Sequence, residues 1–276
     1  MNKKLIVTGG TGFVGRLFLS NLSLQGVDVI CVGRKKGRIS QDYNQITFEE
    51  FSNTFYPDGQ EIYVLHLATF YSKLDEEREN IKSAFDFSMN ILNFVKKSNL
   101  INFLYTNTMF SYYPDESIRT LDYTKTKNEF STELNNFTKK NNILYDEIFL
   151  DNTFGGIDKR KKALPLIVDA VLNQKPSPIK DEQAYINLVS YKDILNRIYK
   201  SITTDIYGST AFVNEKRINL QSVYEFLNKY NLNKIEENNI LQFKPNIYLK
   251  NSPSINLFGL KLNDIQKELV NYLNTT

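Results

Sequence analysis

One pair of residues in this chain has the types and the spacing for acid–base chemistry. Tyr123 and Lys127 are four positions apart in a stretch that predicts a helix, so both side chains lie on one face, a turn apart. A tyrosine titrates near a pKa of about 10, and a nearby ammonium lowers that pKa because it favours the phenolate. The pair would therefore give a proton donor or acceptor that works closer to neutral pH. Because the chain has 17 tyrosines and many lysines, the same spacing also arises by chance. The position of the pair in the fold must therefore show whether it is catalytic.

A glycine-rich turn near residue 10 has the pattern of a phosphate site. The apolar run 5–7 predicts a buried strand, Thr8–Gly15 carries four glycines directly after it, and 13–24 has the pattern of an amphipathic helix. Glycines let the backbone approach a pyrophosphate closely, and the amides of the first helical turn point at that pyrophosphate. The alternative interpretation is a glycine turn with a purely structural role. We expect the nucleotide diphosphate to bind at Thr8, Gly9, Gly12, Phe13, Val14 and Gly15.

The elements around these residues predict an α/β fold. Helical patterns, the longest at 76–97 and 123–140, alternate with apolar strands. The further strands are expected at 27–32, 45–48, 62–67, 101–106 and 143–150. Strands separated by helices imply right-handed crossovers, hence a Rossmann-type doubly wound parallel sheet. We expect a nucleotide-binding domain at 1–153 and a smaller C-terminal substrate-binding lobe at 154–276, with segments near 187–215 returning to the first domain.

Composition limits the class and location of the protein. Of 276 residues, 41% are apolar and 24% are charged, which is ordinary for a globular protein, and the net charge of +3 does not argue for nucleic acid. Cys31 is the single cysteine, so no intrachain disulfide forms, which suits a reducing cytosol. No stretch resembles a signal peptide or approaches the ~18 apolar residues of a membrane helix. We therefore expect a cytoplasmic protein with neither a membrane nor a nucleic-acid partner, and no metal site.

Several motifs together resemble the extended short-chain dehydrogenase/reductase family. The glycine spacing Gly9-x-x-Gly12-x-x-Gly15 and the pair Tyr123-x-x-x-Lys127 match that family. His66-Leu-Ala-Thr resembles the strand end that lines the family's cofactor, and Asn152-Thr-Phe-Gly resembles a segment in which asparagine contacts a sugar-nucleotide substrate. The matches extend from residue 5 to about residue 200.

The resemblance implies a role for each matched residue. Tyr123 gives or takes the proton, Lys127 lowers its pKa and holds the nicotinamide ribose, and a hydroxyl after the fifth strand binds the reacting oxygen. Thr108 fits that register better than Thr106. His66 either contacts the cofactor or is a strand residue whose hydrogen bonds are made within the protein. The implied cofactor contacts include Leu67, Ala68, Tyr123 and Lys127, and the implied substrate contacts are Thr69, Thr108, Met109 and Asn152.

The end of the second strand indicates which cofactor is used. Family members that prefer NAD carry an acidic residue there, which binds the ribose 2′-hydroxyl. This chain instead has Gly33-Arg-Lys-Lys. Arg34 can fork around the oxygens of a 2′-phosphate, so we expect NADP(H) bound partly by Arg34 and Lys35. A solvated basic turn is the alternative.

The residues after Thr108 narrow the chemistry. Preference for NADPH favours net reduction, and Met109-Phe110 stand where the family's 4,6-dehydratases carry an Asp-Glu pair. The chain most resembles the group of CDP-abequose and CDP-paratose synthases. The resemblance implies an NADPH-dependent reductase of the 4-keto group of a nucleotide-linked deoxysugar, in deoxysugar biosynthesis for surface polysaccharide such as lipopolysaccharide. A nucleotide-sugar epimerase and a non-catalytic NADP(H) sensor are the alternatives.

Two further expectations concern assembly and a basic segment. The family packs the helices that correspond to 76–97 and 122–141 as a dimer interface, so we expect a homodimer. The charge run 158–162 is either a solvated loop or a source of cations for a diphosphate substrate.

Overall fold

A computed structural model describes most of the chain as two compact units. The described residues are 3–22, 26–40, 42–55, 59–70, 78–158, 160–204, 207–232, 241–246, 256–257 and 262–276. The first unit comprises Met1–Leu150 and Leu195–Thr210, and the second comprises Asp151–Ile194 and Ala211–Thr276.

Strands and helices alternate through the described residues. The strands are β1 (Lys3–Thr8), β2 (Val27–Gly33), β3 (Gly37–Arg38), β4 (Asn44–Thr47), β5 (Glu61–His66), β6 (Leu100–Thr108), β7 (Leu144–Leu150), β8 (Asn152–Phe154), β9 (Tyr185–Ile186), β10 (Leu188–Ser190), β11 (Gly208–Ala211), β12 (Lys216–Asn219), β13 (Phe243–Pro245) and β14 (Asn256–Leu257). The helices are α1 (Phe13–Ser20), α2 (Phe48–Thr54), α3 (Arg78–Val95), α4 (Glu116–Arg119), α5 (Asp122–Asn141), α6 (Ala163–Leu172), α7 (Tyr191–Thr203), α8 (Leu220–Asn231) and α9 (Leu262–Thr275), and a 3-10 turn covers Met109–Tyr112.

The sheet of the first unit has the strand order of a doubly wound fold. Its strands lie in the order β3-β4-β2-β1-β5-β6-β7-β11. The pairs from β4 to β7 are parallel, and the short β3 runs antiparallel to β4. The chain order reverses between β1 and β5, so a crevice opens at their carboxyl ends, where ligands bind in such sheets. The predicted Rossmann-type parallel sheet is confirmed.

The core of the first unit forms where the sheet meets its covering helices. Buried apolar side chains of β1, β5 and β6 pack with the apolar stripes of α2, α3 and α5 because each strand buries both of its faces. Representative members are Ile6, Val64 and Phe103 from the sheet, and Phe51, Ile91, Phe130 and Leu134 from the helices.

Some element boundaries differ from the sequence expectations. Helix α1 ends at Ser20, where the side-chain amide of Asn21 donates to the Leu17 carbonyl at 2.8 Å, and residues 23–24 of the expected helix lie outside the described part of the chain. Helix α3 spans Arg78–Val95, and residues 76–77 lie outside the described part of the chain. The sequence pattern did not indicate the two-residue strand β3.

The second unit has its own apolar core. Buried side chains of α6, α8 and α9 pack together with residues of β8, β10 and β12. Strand β8 pairs with β10 in parallel, and β12 pairs with both β9 and β13 in antiparallel fashion. Among the described residues of the whole chain, no helix is long and apolar enough to span a membrane.

Candidate active site

The glycine turn after β1 has no room for side chains. Gly9 has a φ of +71°, and a Cβ there would lie 2.6 Å from the backbone nitrogen of Ala68. A Cβ at Gly15 would lie 2.3 Å from the Gly9 carbonyl oxygen, and the Gly12 N–H donates to that same oxygen at 2.9 Å. Any side chain at Gly9 or Gly15 would fill this cradle, so the bare backbone fits a closely approaching phosphate group.

The start of α1 adds electrostatic support to the cradle. Gly12 is the N-cap in extended conformation, without a side-chain capping bond, and the first turn contains no acidic residue. The positive end of the helix dipole is therefore not offset by a carboxylate of that turn, which favours an anion. Phe13 and Gly15 are buried, and Val14 is half-buried, so these residues would contribute backbone and packing.

A directed chain of hydrogen bonds ties the cradle to α3. Ser88 donates its hydroxyl proton to the Ala84 carbonyl at 2.8 Å, so it accepts from His66 Nε2, also at 2.8 Å. A neutral His66 with its proton on Nε2 accepts at Nδ1, so Thr8 Oγ1 donates to Nδ1 at 2.9 Å and accepts from the Ala68 N–H at 3.2 Å. These assignments require a neutral His66 with its proton on Nε2.

The surroundings of His66 agree with that protonation state. The ring is completely buried, and this burial, with Lys127 contributing, lowers the pKa of His66 to about 3. Both ring nitrogens form hydrogen bonds within the protein. This favours a structural role for His66 in its strand over a direct contact with the cofactor. His66 and the buried Thr8 hold Ala68 in place beside Gly9.

A cleft at the carboxyl edge of the sheet brings several expected residues together. The space between its walls, together with volume open to solvent at its mouth, is about 300 Å³. Tyr123, Lys127, Ala68 and the exposed Thr69 line it. The remaining lining residues are Phe70, Ile81, Ala84, Phe85, Ser88, Tyr105, Thr126 and Phe130. Tyr123 and Lys127 thus lie beside residues that adjoin the glycine cradle, whereas Thr108 is not among the residues that line this cleft.

Lys127 is buried among apolar and aromatic groups. Its Nζ donates to the Thr106 carbonyl and lies 4.5 Å from the centre of the Tyr105 ring. Burial lowers the pKa of Lys127 to about 7, and the nearby Glu147 opposes that shift. The ammonium is therefore poised to change charge near neutral pH.

Two tyrosines line the cleft, and they differ in their suitability as acids. Tyr105 is fully buried and donates to the Lys127 carbonyl at 3.2 Å, and burial raises its pKa well above the usual value, with Tyr123 adding to the effect. Tyr123 is half-buried and packs edge-to-face with Phe110 at 6.1 Å. The geometry therefore favours Tyr123 over Tyr105 as the proton donor.

Two threonines at the end of β6 differ in the use of their hydroxyl protons. Thr106 donates its proton to the His66 carbonyl at 3.3 Å. Thr108 Oγ1 accepts from the Phe110 N–H at 3.2 Å, and no hydrogen bond among the described residues uses its own proton. Thr108 therefore retains a donor for a developing oxyanion. Met109, expected as a substrate contact, is fully buried at the start of the 3-10 turn.

The basic turn after β2 is held by neighbouring side chains. Arg34 and Lys35 are exposed, and the Arg34 guanidinium lies 5.9 Å from the Phe70 ring. Gln45 Nε2 donates to the Lys35 carbonyl at 2.8 Å, and Lys36 forms an ion pair of 2.5 Å with an acidic side chain of α2. The turn thus exposes the Arg34 and Lys35 cations on a backbone that is held by the Gln45 hydrogen bond.

The remaining expected residues lie in the second unit. Asn152, at the start of β8, donates to the neighbouring Asp151 carboxylate at 2.8 Å. Arg160 of the basic run donates to both oxygens of the buried Asp158 and to the Thr153 carbonyl at 2.7 Å. This guanidinium is built into the framework of its unit. Residue 159 of the run lies outside the described residues.

The profile of the NAD dependent epimerase/dehydratase family matches residues 5–210. The chain belongs to this family. The resemblance to extended short-chain dehydrogenases/reductases is thereby confirmed.

Individual relatives agree with this membership. CDP-abequose synthase of Salmonella typhimurium is 26% identical over 192 residues, a match that covers 65% of this chain and 62% of that protein. A UDP-N-acetylglucosamine 4-epimerase from Methanobrevibacter ruminantium has a TM-score of 0.74 at 16% identity, covering 99% of this chain and 98% of that one. A Thermus thermophilus UDP-glucose 4-epimerase in complex with NAD has a TM-score of 0.69 at 14% identity, with 99% and 98% covered. These two structures share the fold.

Sequence reasoning missed a buried carboxylate close to this site. Glu147 on β7 is 6% exposed and accepts hydrogen bonds from Asn107 and Ser131. Its only signal is a charged residue in a strand that the pattern predicts to be buried, directly after Asp146. No motif of the family marks the position.

Proposed function

We propose that the chain is an NADPH-dependent reductase of the 4-keto group of a nucleotide-linked 4-keto-6-deoxysugar. The observation that supports it most is the shared cleft of Tyr123 and Lys127, beside the Ala68 backbone that contacts the glycine cradle. A proton donor and a nucleotide cradle at one sheet edge are what carbonyl reduction requires.

The cradle and the basic turn fit a dinucleotide. Gly9, Gly12 and Gly15 would hold its diphosphate, and Lys127 would hold the nicotinamide ribose. A reduced nicotinamide supplies the hydride when it is bound. Arg34 and Lys35 carry the positive charge that a 2′-phosphate needs, and no carboxylate stands in the turn 33–36. These features support NADPH over NADH.

The proposed roles of the side chains follow from their environments. Tyr123 passes its phenol proton to the developing alkoxide, and the Lys127 ammonium stabilises the phenolate that remains. Thr108 donates its unused hydroxyl proton to the same substrate oxygen. Such preorganised donors in a site with little water stabilise charge that develops in the transition state.

Two features support ketoreduction within the family. Met109 is buried and Phe110 is aromatic, so the two positions after Thr108 offer no acid–base pair for elimination. CDP-abequose synthase is a relative of this chain, matched over 62% of its own length, and we carry its reaction class to this chain as a proposal.

An epimerase is the second candidate because solved nucleotide-sugar epimerases share the fold. The two functions differ in net redox change. Incubation with NADPH and CDP-, dTDP-, GDP- or UDP-linked 4-keto-6-deoxysugars should oxidise one NADPH per sugar reduced. Interconversion of sugar epimers without net oxidation would assign the epimerase function instead.

We also propose a homodimer through α3 and α5. These helices pack on each other, and α3 carries the partly buried Phe85 and Met89. Light scattering at micromolar concentration should give twice the mass of the chain, and the mass of one chain would exclude this assembly.

A further inference from the structure

Glu147 is a buried carboxylate whose hydrogen bonds lead towards the proposed site. It lies opposite Tyr105 in the register between β6 and β7. Its Oε1 accepts from Asn107 Nδ2 at 2.7 Å and from the Ser131 hydroxyl at 2.6 Å. Burying a carboxylate in a sheet is costly unless hydrogen bonds and charges compensate it, so its surroundings indicate what it does.

The first link from Glu147 leads to Thr108. Asn107 Nδ2 donates to Glu147, which turns the Asn107 carbonyl oxygen towards the Thr108 N–H, and that N–H donates to it at 2.7 Å. The carboxylate therefore fixes which way the Asn107 amide faces. With the amide reversed, Glu147 and Thr108 would both lose a partner of the correct kind.

The second link leads to Lys127, which lies one turn before Ser131 on α5, and the Ser131 hydroxyl donates to Glu147 at 2.6 Å. The Lys127 ammonium is surrounded by titratable groups from each element packed against it, and these are His66 of β5, Tyr105 of β6, Tyr123 of its own helix α5 and Glu147 of β7. His66 is neutral at pH 7 because its pKa is lowered, and Tyr105 is uncharged because its pKa is raised, so Glu147 is the carboxylate among these groups. Glu147 also interacts with Tyr112 and Tyr145, whose pKa values are raised first by burial and further by this carboxylate. The adjacent Asp146 is paired with the buried Arg197 at 2.6 Å, so it does not compete for Lys127.

We propose that Glu147 is a positioning residue of the active site, which holds the Thr108 backbone through Asn107 and keeps Lys127 charged. The proposal rests on the proposed function, because it assigns Glu147 a task for the residues that would handle the substrate proton. Glu147 does not line the cleft, so it acts through Thr108 and Lys127.

The test compares Glu147→Gln with Ser131→Ala. Glu147→Gln preserves the shape and the acceptor for Asn107 but removes the charge, whereas Ser131→Ala removes a hydrogen bond to the same oxygen but keeps the charge. Removal of an opposite charge at close range shifts a pKa by about 1 unit or more. We expect Glu147→Gln to move the alkaline limb of kcat/KM for NADPH-dependent reduction about 1 pH unit towards acid. Ser131→Ala should leave the midpoint of that limb in place.

A second readout needs neither cofactor nor substrate. Urea unfolding from pH 5 to pH 10 gives the stability difference between each parent protein and its Lys127→Met derivative. In the wild-type background that difference should level off below about pH 7, where Lys127 is protonated in both folded and unfolded chains. In the Glu147→Gln background it should level off about 1 pH unit lower.

The outcomes separate this proposal from the proposed function. Unmoved midpoints in both readouts, or equal shifts in Glu147→Gln and Ser131→Ala, would overturn the role of Glu147 even if the enzyme reduces a keto sugar. If no keto sugar is reduced but the unfolding midpoint shifts in Glu147→Gln alone, the reductase function fails while the electrostatic link to Lys127 stands.

Discussion

Replacing Lys127 by methionine should make the protein more stable and less active. Methionine is similar in length, carries no charge and fits an apolar site, whereas the lysine is 6% exposed with its ammonium in the interior. Activity should fall because the variant cannot stabilise the Tyr123 phenolate. The expected gain in stability follows from the cost of burying the charge.

The magnitude follows from the pKa of Lys127. Its fall from 10.5 to about 7 corresponds to about 5 kcal/mol of destabilisation at low pH, as an upper bound. Loss of the hydrogen bond to the Thr106 carbonyl offsets about 1–3 kcal/mol. Lys127→Met should therefore raise the free energy of unfolding at pH 7 by about 2 kcal/mol.

The pH dependence has a definite sign. Between pH 7 and pH 10.5 the unfolded chain holds a proton on Lys127 that the folded chain has released. Raising the pH through this window removes that advantage of the unfolded state. The free energy of unfolding of the wild type therefore rises relative to that of Lys127→Met by up to about 1.4 kcal/mol per pH unit. From pH 7 to pH 9 the gain should be about 2 kcal/mol.

Urea unfolding followed by circular dichroism measures this difference without tryptophan, which the chain lacks. Lys125→Met is the matched control, because Lys125 is exposed on the same helix, and its stability should run parallel to that of the wild type at every pH. The outcome that would contradict this prediction is a Lys127→Met protein that is less stable than the wild type at pH 7 and whose free energy of unfolding changes with pH up to pH 9 as that of the wild type does. It would show that burial does not lower the pKa of Lys127.

Three further substitutions test the cradle, the donor and the cofactor preference. Tyr123→Phe should lower kcat for keto-sugar reduction by roughly 10²–10⁴-fold while the NADPH Kd from fluorescence titration stays near the wild-type value, and near-normal turnover would remove Tyr123 as the donor. Arg34→Ala should weaken NADPH binding much more than NADH binding, and an equal loss in calorimetric titrations of both would argue against a 2′-phosphate contact. Gly15→Ala should abolish detectable NADPH binding, because its Cβ would lie 2.3 Å from the Gly9 carbonyl oxygen, and retained affinity would show that the cradle does not hold the diphosphate.

The fold could be predicted from the sequence because its signals are local. Apolar strands of β-branched residues alternate with helical stripes, and that alternation dictates a parallel sheet. The glycine turn was recognisable because Gly9 and Gly15 leave space that the backbone needs. The four-residue spacing of Tyr123 and Lys127 placed both on one helix face, and both line one cleft.

Features set by distant contacts could not be predicted. The neutral state of His66 depends on partners 58 and 22 residues away along the chain. The position of Glu147 near Lys127 arises from strand register and helix packing, which no local pattern encodes.

The central claim is that Tyr123 and Lys127 serve net reduction of a nucleotide-linked keto sugar. The most direct measurement is NADPH absorbance at 340 nm during incubation with CDP-, dTDP-, GDP- and UDP-linked 4-keto-6-deoxysugars, with product analysis by mass spectrometry. The proposal predicts stoichiometric NADPH oxidation with at least one of these substrates and a product two mass units heavier than the ketone, and no such reaction with Tyr123→Phe under the same conditions. Conversion of a nucleotide sugar to its epimer at constant NADPH absorbance would contradict it.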